Sequence, residues 1–273
     1  MTVSPSYDRL ADALAPIAAE AGRLLLNIQE TPPDVSVKAD GTPTCPADTR
    51  SETLIIERLR RDFPDIPIIS EERVRDADIG GRFFLVDPLD GTADFIDGGR
   101  EFCINIALIE NRRPVAAVIH APASGKTWLA GETAWALSLQ DKKKHPLKTR
   151  PADTANAIVA LTSNRYGDSE TEDCLDRLGN IEKRRISSAV KFCLIAEGQA
   201  DIYIRHGRTM EWDTAAGDLI LTRAGGTVIG LDGRPLLYGK TAEGYANHAF
   251  IALGDPSFAT KVLPACMKSF GQP

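Results

Sequence analysis

The chain has 273 residues, 43% of them hydrophobic, and a formal net charge of −6. That length suits one large domain or two modest ones sharing a core, and the acidic balance argues against a nucleic-acid polymer as partner, which would call for a basic face. Five cysteines, Cys45, Cys103, Cys174, Cys193 and Cys266, are scattered without CxxC spacing, so neither a disulfide framework nor a zinc site is expected, and a reduced cytoplasmic setting is the simpler one. No apolar run is long enough to cross a bilayer, and the first residues lack the charged-then-apolar order of a secretory signal. Peripheral contact at the inner membrane stays open.

The first element is a predicted helix, with Leu10, Leu14, Ile17, Ala21, Leu24, Leu25 and Ile28 recurring at three- and four-residue steps. Pro16 is expected to kink it or to begin its main part. A Pro- and Asp-rich stretch follows, extended around Val35 to Lys38. "ADTRSETLIIERLRRDF" is a second amphipathic helix with Leu54, Ile55, Leu59 and Phe63 facing inward, and "IPIIS" is a short strand that ends at Glu71–Glu72. "RFFLVD" is a strand, and "CINIALIENRRPVAAVIHAP" is two strands around an "ENRRP" turn. After the β pattern of "GKTWLAGETAWALSL", the polar "QDKKKHPLKTRPAD" reads as a solvated loop and a boundary. It divides an N-terminal region, 1–140, from a C-terminal region, 141–273. There "AIVALTS", "ADIYIR", "TVIGL" and "HAFIAL" read as strands, and "SETEDCLDRLG", "SSAVKFCLIAEGQ" and "EWDTAAGDLILTRAGG" as helices. The mixture points to alternating α and β layers.

The stretch "LVDPLDGTADF" places Asp87 and Asp90 where strand regularity stops, around Pro88 and before Gly91. Like charges this close repel, and burying them unpaired is costly. Two readings stay open on the residues alone: a solvated Asx-rich turn, or a turn that aims two carboxylates and the Leu89 carbonyl at a hard cation, Mg²⁺ before Zn²⁺. Amides at the start of a helix opening at Thr92 would then suit an anion such as phosphate. Glu71 and Glu72 end an apolar strand, while Asp213 and Asp48 precede helices; surface strand end and N-cap are their ordinary readings. All of them gain meaning if the fold brings them together.

"DPLDGTADF", "SEE" upstream and "EWDTAAGDLILTRAGG" downstream resemble, in order, the blocks of the lithium-sensitive, magnesium-dependent phosphatases of the inositol monophosphatase superfamily. "SSAVKFCLIAEGQADIYIRHGRTMEWDTAAG" is similar to the branch of CysQ-type 3′(2′),5′-bisphosphate nucleotidases. The resemblance implies an α/β fold, the αβαβα sandwich shared with fructose-1,6-bisphosphatase, in a cytoplasmic enzyme of sulfur metabolism. It implies hydrolysis of the 3′-phosphate of adenosine 3′,5′-bisphosphate to AMP and phosphate, with the sulfated nucleotide PAPS a further candidate. Inositol monophosphatase activity is the alternative, ahead of fructose-1,6-bisphosphatase activity or a non-catalytic metal- or nucleotide-binding module.

Two or three Mg²⁺ ions are implied, held by Glu71, Asp87, the Leu89 carbonyl, Asp90 and Asp213, with Glu71, Thr92 and Asp48 orienting the attacking water. Asp90, Gly91, Thr92, Ser188, Lys191, Arg205 and Asp213 are implied in substrate binding. Lys191 would otherwise read as a solvated helix residue and Arg205 as a surface strand end. Cys103 and Cys193 read as core. Cys45 replaces a threonine of the family pattern, and Tyr166 stands near a histidine position used in nucleotide recognition. Dimers among the relatives make a homodimer an expectation of the resemblance.

Overall fold

In a computed structural model, which describes residues 6–30, 36–37, 43–73, 80–138, 143–165 and 167–267, the chain opens with helix α1 (Tyr7–Gln29). Pro16 lies inside this one helix and neither begins nor ends it; Ser6 is the cap. The apolar stripe expected from the sequence is buried at Leu10, Leu14, Ile17, Ala21 and Leu25. Of the segment expected to be extended, Ser36–Val37 forms β1, paired antiparallel with β2 (Pro43–Thr44); Val35 and Lys38 lie outside the described residues. Helix α2 (Pro46–Asp62) starts on a proline, whose missing N–H costs nothing at a first turn, and buries Ile55 and Leu59.

A seven-stranded sheet follows. Its strands are β3 (Ile68–Ser70), β4 (Arg82–Asp90), β5 (Cys103–Glu110), β6 (Arg113–Ala121), β7 (Lys126–Ala130), β8 (Ala134–Ser138) and β9 (Lys144–Pro146), neighbours in that order. The first pair is parallel and the rest antiparallel. A short helix, α3 (Thr92–Ile96), interrupts between β4 and β5. β5 and β6 close on Asn111 and Arg112, both at positive φ (49° and 65°), the backbone that a tight two-residue hairpin requires. β9 corrects the expectation of a solvated loop: Lys144–Pro146 is exposed but pairs with β8, so the first sheet runs past residue 140.

The rest of the chain builds a second sheet from β10 (Ile158–Thr162), α4 (Ser169–Leu178), β11 (Ile181–Arg185), α5 (Val190–Ala196), β12 (Ile202–Arg205), β13 (Thr209–Met210), α6 (Glu211–Arg223), β14 (Thr227–Gly230), β15 (Ala246–Asn247), β16 (Phe250–Leu253) and α7 (Ala259–Met267). Five of these strands pair in the order β11-β10-β12-β16-β14; β13 and β15 form a small ladder of their own.

Side-chain alternation converts these strings into layers. On β4, Phe84 and Val86 join α1 and α2 in one apolar cluster, while Phe83 and Leu85 join α5 and α6 in another. On β10, Val159 and Leu161 reach that same central cluster, and Ile158 and Ala160 pack with α4 and α7. The order is therefore helices, seven-stranded sheet, helices, five-stranded sheet, helices, with one core spanning both halves of the chain.

The cysteine expectation needs correction. Cys174 and Cys266 form a disulfide across 92 residues of sequence, joining α4 to α7 in the outer layer. Sequence spacing does not reveal which helices pack together, and these two cysteines meet because their helices do. Cys45, Cys103 and Cys193 are free and buried. Among the described residues no helix is long and apolar enough to cross a membrane.

Candidate metal centre and substrate cavity

Strand parity sends the acidic residues to one place. Asp87 lies two residues beyond Leu85 and so keeps the face that looks into the central helical layer. The β4–β5 register then breaks between Asp87 and Asp90 and is regained where Asp90 faces Cys103, so β4 does not end at Asp87 as expected but carries a bulge across Pro88. Gly91 turns the chain into α3 at φ 94°, and a Cβ there would stand 2.9 Å from the Glu101 carbonyl; both facts demand glycine. From the opposite layer, the first turn of α6 brings Asp213, and the turn after β3 brings Glu71.

These elements enclose a cavity of about 600 Å³. Glu71, Asp87, Leu89, Asp90, Gly91, Thr92, Ser188, Lys191, Arg205 and Asp213 all line it. Asp48 stands behind this wall: its Oδ1 accepts from the Thr92 hydroxyl at 3.0 Å and its Oδ2 from the Cys45 amide at 2.8 Å. Asp48 and Asp213 are thus third-position residues of their helices, reaching back to the preceding amide, and not the caps themselves; Asp213 Oδ2 accepts from the Met210 amide at 2.8 Å. Cys45 is buried beside Asp48, and burial, then the neighbouring carboxylate, pushes its thiol up to about 11.

The acidic wall is electrostatically incomplete. Burial, then Glu71, Asp90 and Asp213, drive Asp87 well above the ordinary carboxylate range. Burial and then Asp90 do the same to Asp213, and burial raises Asp90 with Lys191 pulling against it. Carboxylates that oppose one another's ionisation in a shared cavity call for a cation, and an all-oxygen donor set suits a hard divalent one. Among the described residues no three acidic, histidine or cysteine side chains are already drawn into a closed cage; the four carboxylates line an open cavity that Glu71, Asp87, Asp90, Asp213 and the Leu89 carbonyl can contribute to a bound ion. Asp90 is held from behind: Oδ2 accepts from the Ala189 amide at 2.5 Å and from Asn105 Nδ2 at 3.3 Å, with the Cys103 thiol at 3.7 Å. Cys103 is core, as expected, and also touches a ligand candidate.

The facing wall is cationic. Lys191 is buried, not solvated; burial lowers its ammonium to about 8, and it donates to the carbonyls of Ile186 (3.1 Å) and Ser188 (2.7 Å) beneath the Tyr203 ring. These bonds hold Ser188 at φ 59°, a left-handed backbone unusual for serine. Arg205 is only 12% exposed, with Asp168, the cap of α4, 4.0 Å away. Gly207 lets the Arg205 guanidinium lie close, since a Cβ there would come within 3.2 Å of it. Arg165 and Arg208, which the sequence reading missed, also line the cavity. Both stand in stretches that the resemblance marks, Arg208 in "RHGRT" and Arg165 in "SNRY" beside Tyr166. Tyr166 lies outside the described residues.

The inositol monophosphatase family model matches residues 6–262. The chain belongs to the inositol monophosphatase family. Within the family it is 36% identical to the 3′(2′),5′-bisphosphate nucleotidase CysQ of Escherichia coli strain K12, across 88% of this chain and 98% of that one. It is 33% identical to the protein of the same name from Buchnera aphidicola, across 92% and 96%. Among family structures, CysQ of Bacteroides thetaiotaomicron superposes with a TM-score of 0.78 at 33% identity, over 90% of this chain and 97% of that one. The extragenic suppressor protein SuhB of Bartonella henselae gives 0.81 at 24%, over 96% and 100%, a likeness of fold. The layered sandwich expected from the resemblance is the family's architecture.

Proposed function

We infer that this chain is a divalent-metal-dependent 3′(2′),5′-bisphosphate nucleotidase, which hydrolyses the 3′-phosphate of adenosine 3′,5′-bisphosphate to AMP and phosphate. The observation that carries the reading is the division of one cavity, acidic on one wall and cationic on the other, in a chain 36% identical to a CysQ nucleotidase along 88% of its length. The substrate is itself an anion with two phosphates: Lys191, Arg205 and Arg208 attract it, and Arg205 can grip a phosphate with two parallel N–H bonds.

Glu71, Asp87, Asp90, Asp213 and the Leu89 carbonyl would hold two or three Mg²⁺ ions; when bound, such ions acidify water and neutralise phosphate charge. Thr92 and Asp48 orient the attacking water. The Thr92 hydroxyl has Asp48 Oδ1 at 3.0 Å and the Leu89 carbonyl at 2.9 Å as acceptors for its one proton. Once the carbonyl is engaged by a metal ion, the hydrogen bond to Asp48 would leave the hydroxyl lone pairs free to accept from the attacking water and so orient it. Glu71 would help to orient the same water. Ser188, set by Lys191 in its left-handed turn, lines the cavity that would take the substrate, with its hydroxyl turned inward toward Cys103.

Phosphate release from adenosine 3′,5′-bisphosphate, inositol 1-phosphate and fructose 1,6-bisphosphate, measured in parallel with Mg²⁺, tests the reading. The nucleotide is expected to give the highest kcat/KM, by about tenfold or more, with inhibition by lithium. A preference for inositol 1-phosphate would transfer the assignment to the other branch of the family. No release from any of the three, with Mg²⁺ bound, would make the chain a binding module.

A further inference from the structure

Helix α2 carries three polar residues that are wholly buried and unusual for a helix core: Asp48, Ser51 and Glu52, 1%, 0% and 0% exposed. At spacings of three and four they lie along one face, and each reaches a different segment of the acidic wall. Asp48 meets Thr92, and Ser51 Oγ donates to the Pro88 carbonyl at 2.8 Å, inside the bulge between Asp87 and Asp90. Glu52 Oε2 meets Arg73 Nε at 2.8 Å, and the same carboxyl faces the Ser70 hydroxyl and the Glu72 amide on either side of Glu71, while Arg73 Nη2 donates to Thr53 Oγ1 at 2.9 Å, also on α2.

Arg73 closes the single 3-10 turn that begins at Glu71. β3, which delivers that turn, is three residues long and, among the described residues, pairs with β4 alone, at the edge of its sheet. So short an edge strand alone fixes the direction of the following side chain poorly, so the contacts that α2 makes with this turn bear on where Glu71 points. A carboxylate taken fully out of water costs several kcal/mol unless it is paired, and an apolar side chain would fill the same space at less cost. Fold stability alone is therefore a weak reason for Glu52. We propose that the Glu52–Arg73 pair is a positioning device, which clamps the Glu71 turn to α2 and so sets Glu71 at a fixed separation from the Asp87–Asp90 bulge, held to the same helix through Ser51. The proposal rests on the reading of Glu71 as a metal ligand.

The test reads metal binding directly. Mn²⁺ is titrated into metal-free wild-type protein and into the Glu52→Gln, Arg73→Gln, Arg73→Lys and double Gln variants by calorimetry, without substrate; the Mg²⁺ dependence of turnover and the melting temperature are measured alongside. Each single Gln variant is expected to bind Mn²⁺ about tenfold more weakly and to need correspondingly more Mg²⁺ for half-maximal rate, with kcat at saturating Mg²⁺ within about threefold. Arg73→Lys should recover part of the loss, and the double variant should be no weaker than the worse single one, because the two residues act as one unit. Wild-type Mn²⁺ affinity in both Gln variants, or a lower melting temperature with unchanged affinity, overturns the proposal and leaves the metal centre standing. Failure of the wild-type protein to bind Mn²⁺ overturns the ligand reading of Glu71 and the clamp with it. Should Glu52→Gln not fold, the Arg73 variants decide, since that side chain is 42% exposed.

Discussion

Asp87 has two roles that oppose each other. It is buried at the end of a strand whose preceding residues are apolar, and its Oδ1 accepts the Leu89 amide at 3.0 Å, which shapes the bulge. Its carboxylate also stands among three others, and burial with that repulsion keeps its pKa high. A carboxylate with a folded pKa above its unfolded value costs the metal-free protein stability as the pH rises past the unfolded value, and the full cost is reached at the folded one. Replacing Asp87 by Asn keeps the acceptor for Leu89 and deletes the charge. The variant is expected to lose about 100-fold in turnover and, without metal, to melt about 2–4 °C higher than wild type. Magnesium should no longer raise its melting temperature as far. Near-normal turnover at saturating Mg²⁺ would remove Asp87 from the centre. Much of this wall was readable from the sequence, because the carboxylates follow short strands and open helices in a fixed order around Pro88 and Gly91. Glu52 and Arg73 were not readable: each matters through a partner about twenty residues away, and nothing in the local pattern marks it; Asp168 reads locally as a helix cap, but not as the neighbour of Arg205.

At the scale of elements, periodicity found those that bury an apolar face. It missed β11, "IEKRR", whose last four residues are exposed and which is a strand only because β10 pairs with it in parallel. It missed β9 for the same reason, and α7, which is short and contains Pro264. Edge strands and late helices take their conformation from the sheet they join, so their sequences need not announce it. The Cys174–Cys266 link belongs to this scale as well, since it ties α7, the last described helix, to α4. Closing so long a loop is worth about 2–4 kcal/mol through the unfolded chain. Cys266→Ser is expected to lower unfolding free energy by about that amount in oxidised protein, read by urea denaturation. Its kcat should stay near wild type, because the bond lies in the outer layer, across the second sheet from the cavity. A variant as stable as wild type would deny the bond a stabilising role, and a large loss of kcat at full folding would show that the position of α4 is felt at Asp168 and Arg205.

Across the whole molecule, the acid limit of stability and the chemistry of the cavity arise on opposite faces of one sheet. His120 sits on β6, on the face that α1 covers, 2% exposed, with Nδ1 2.8 Å from the Thr127 hydroxyl. The ring fills the space over Gly22, where a Cβ would stand 2.6 Å from it, so α1 and the sheet close around a neutral imidazole. Burial, with a smaller push from Arg23, lowers its pKa to about 4 from an unfolded value of 6.5. Between those values the unfolded chain binds the proton and the folded one does not. The contribution of the neutral ring to stability is therefore complete above pH 6.5 and is lost as the pH falls toward 4, by about 3 kcal/mol at 1.36 kcal/mol per pKa unit. Glutamine keeps a neutral polar group beside Thr127 and cannot titrate there. His120→Gln should therefore flatten the dependence of unfolding free energy on pH between 6.5 and 4 relative to wild type, whatever its offset at pH 7. The pH profile of kcat should not move, because the ring faces α1 and not the cavity. Parallel unfolding curves for the two proteins across that range would place the acid sensitivity elsewhere, and a shifted kcat profile would mean that the two faces of the sheet are coupled.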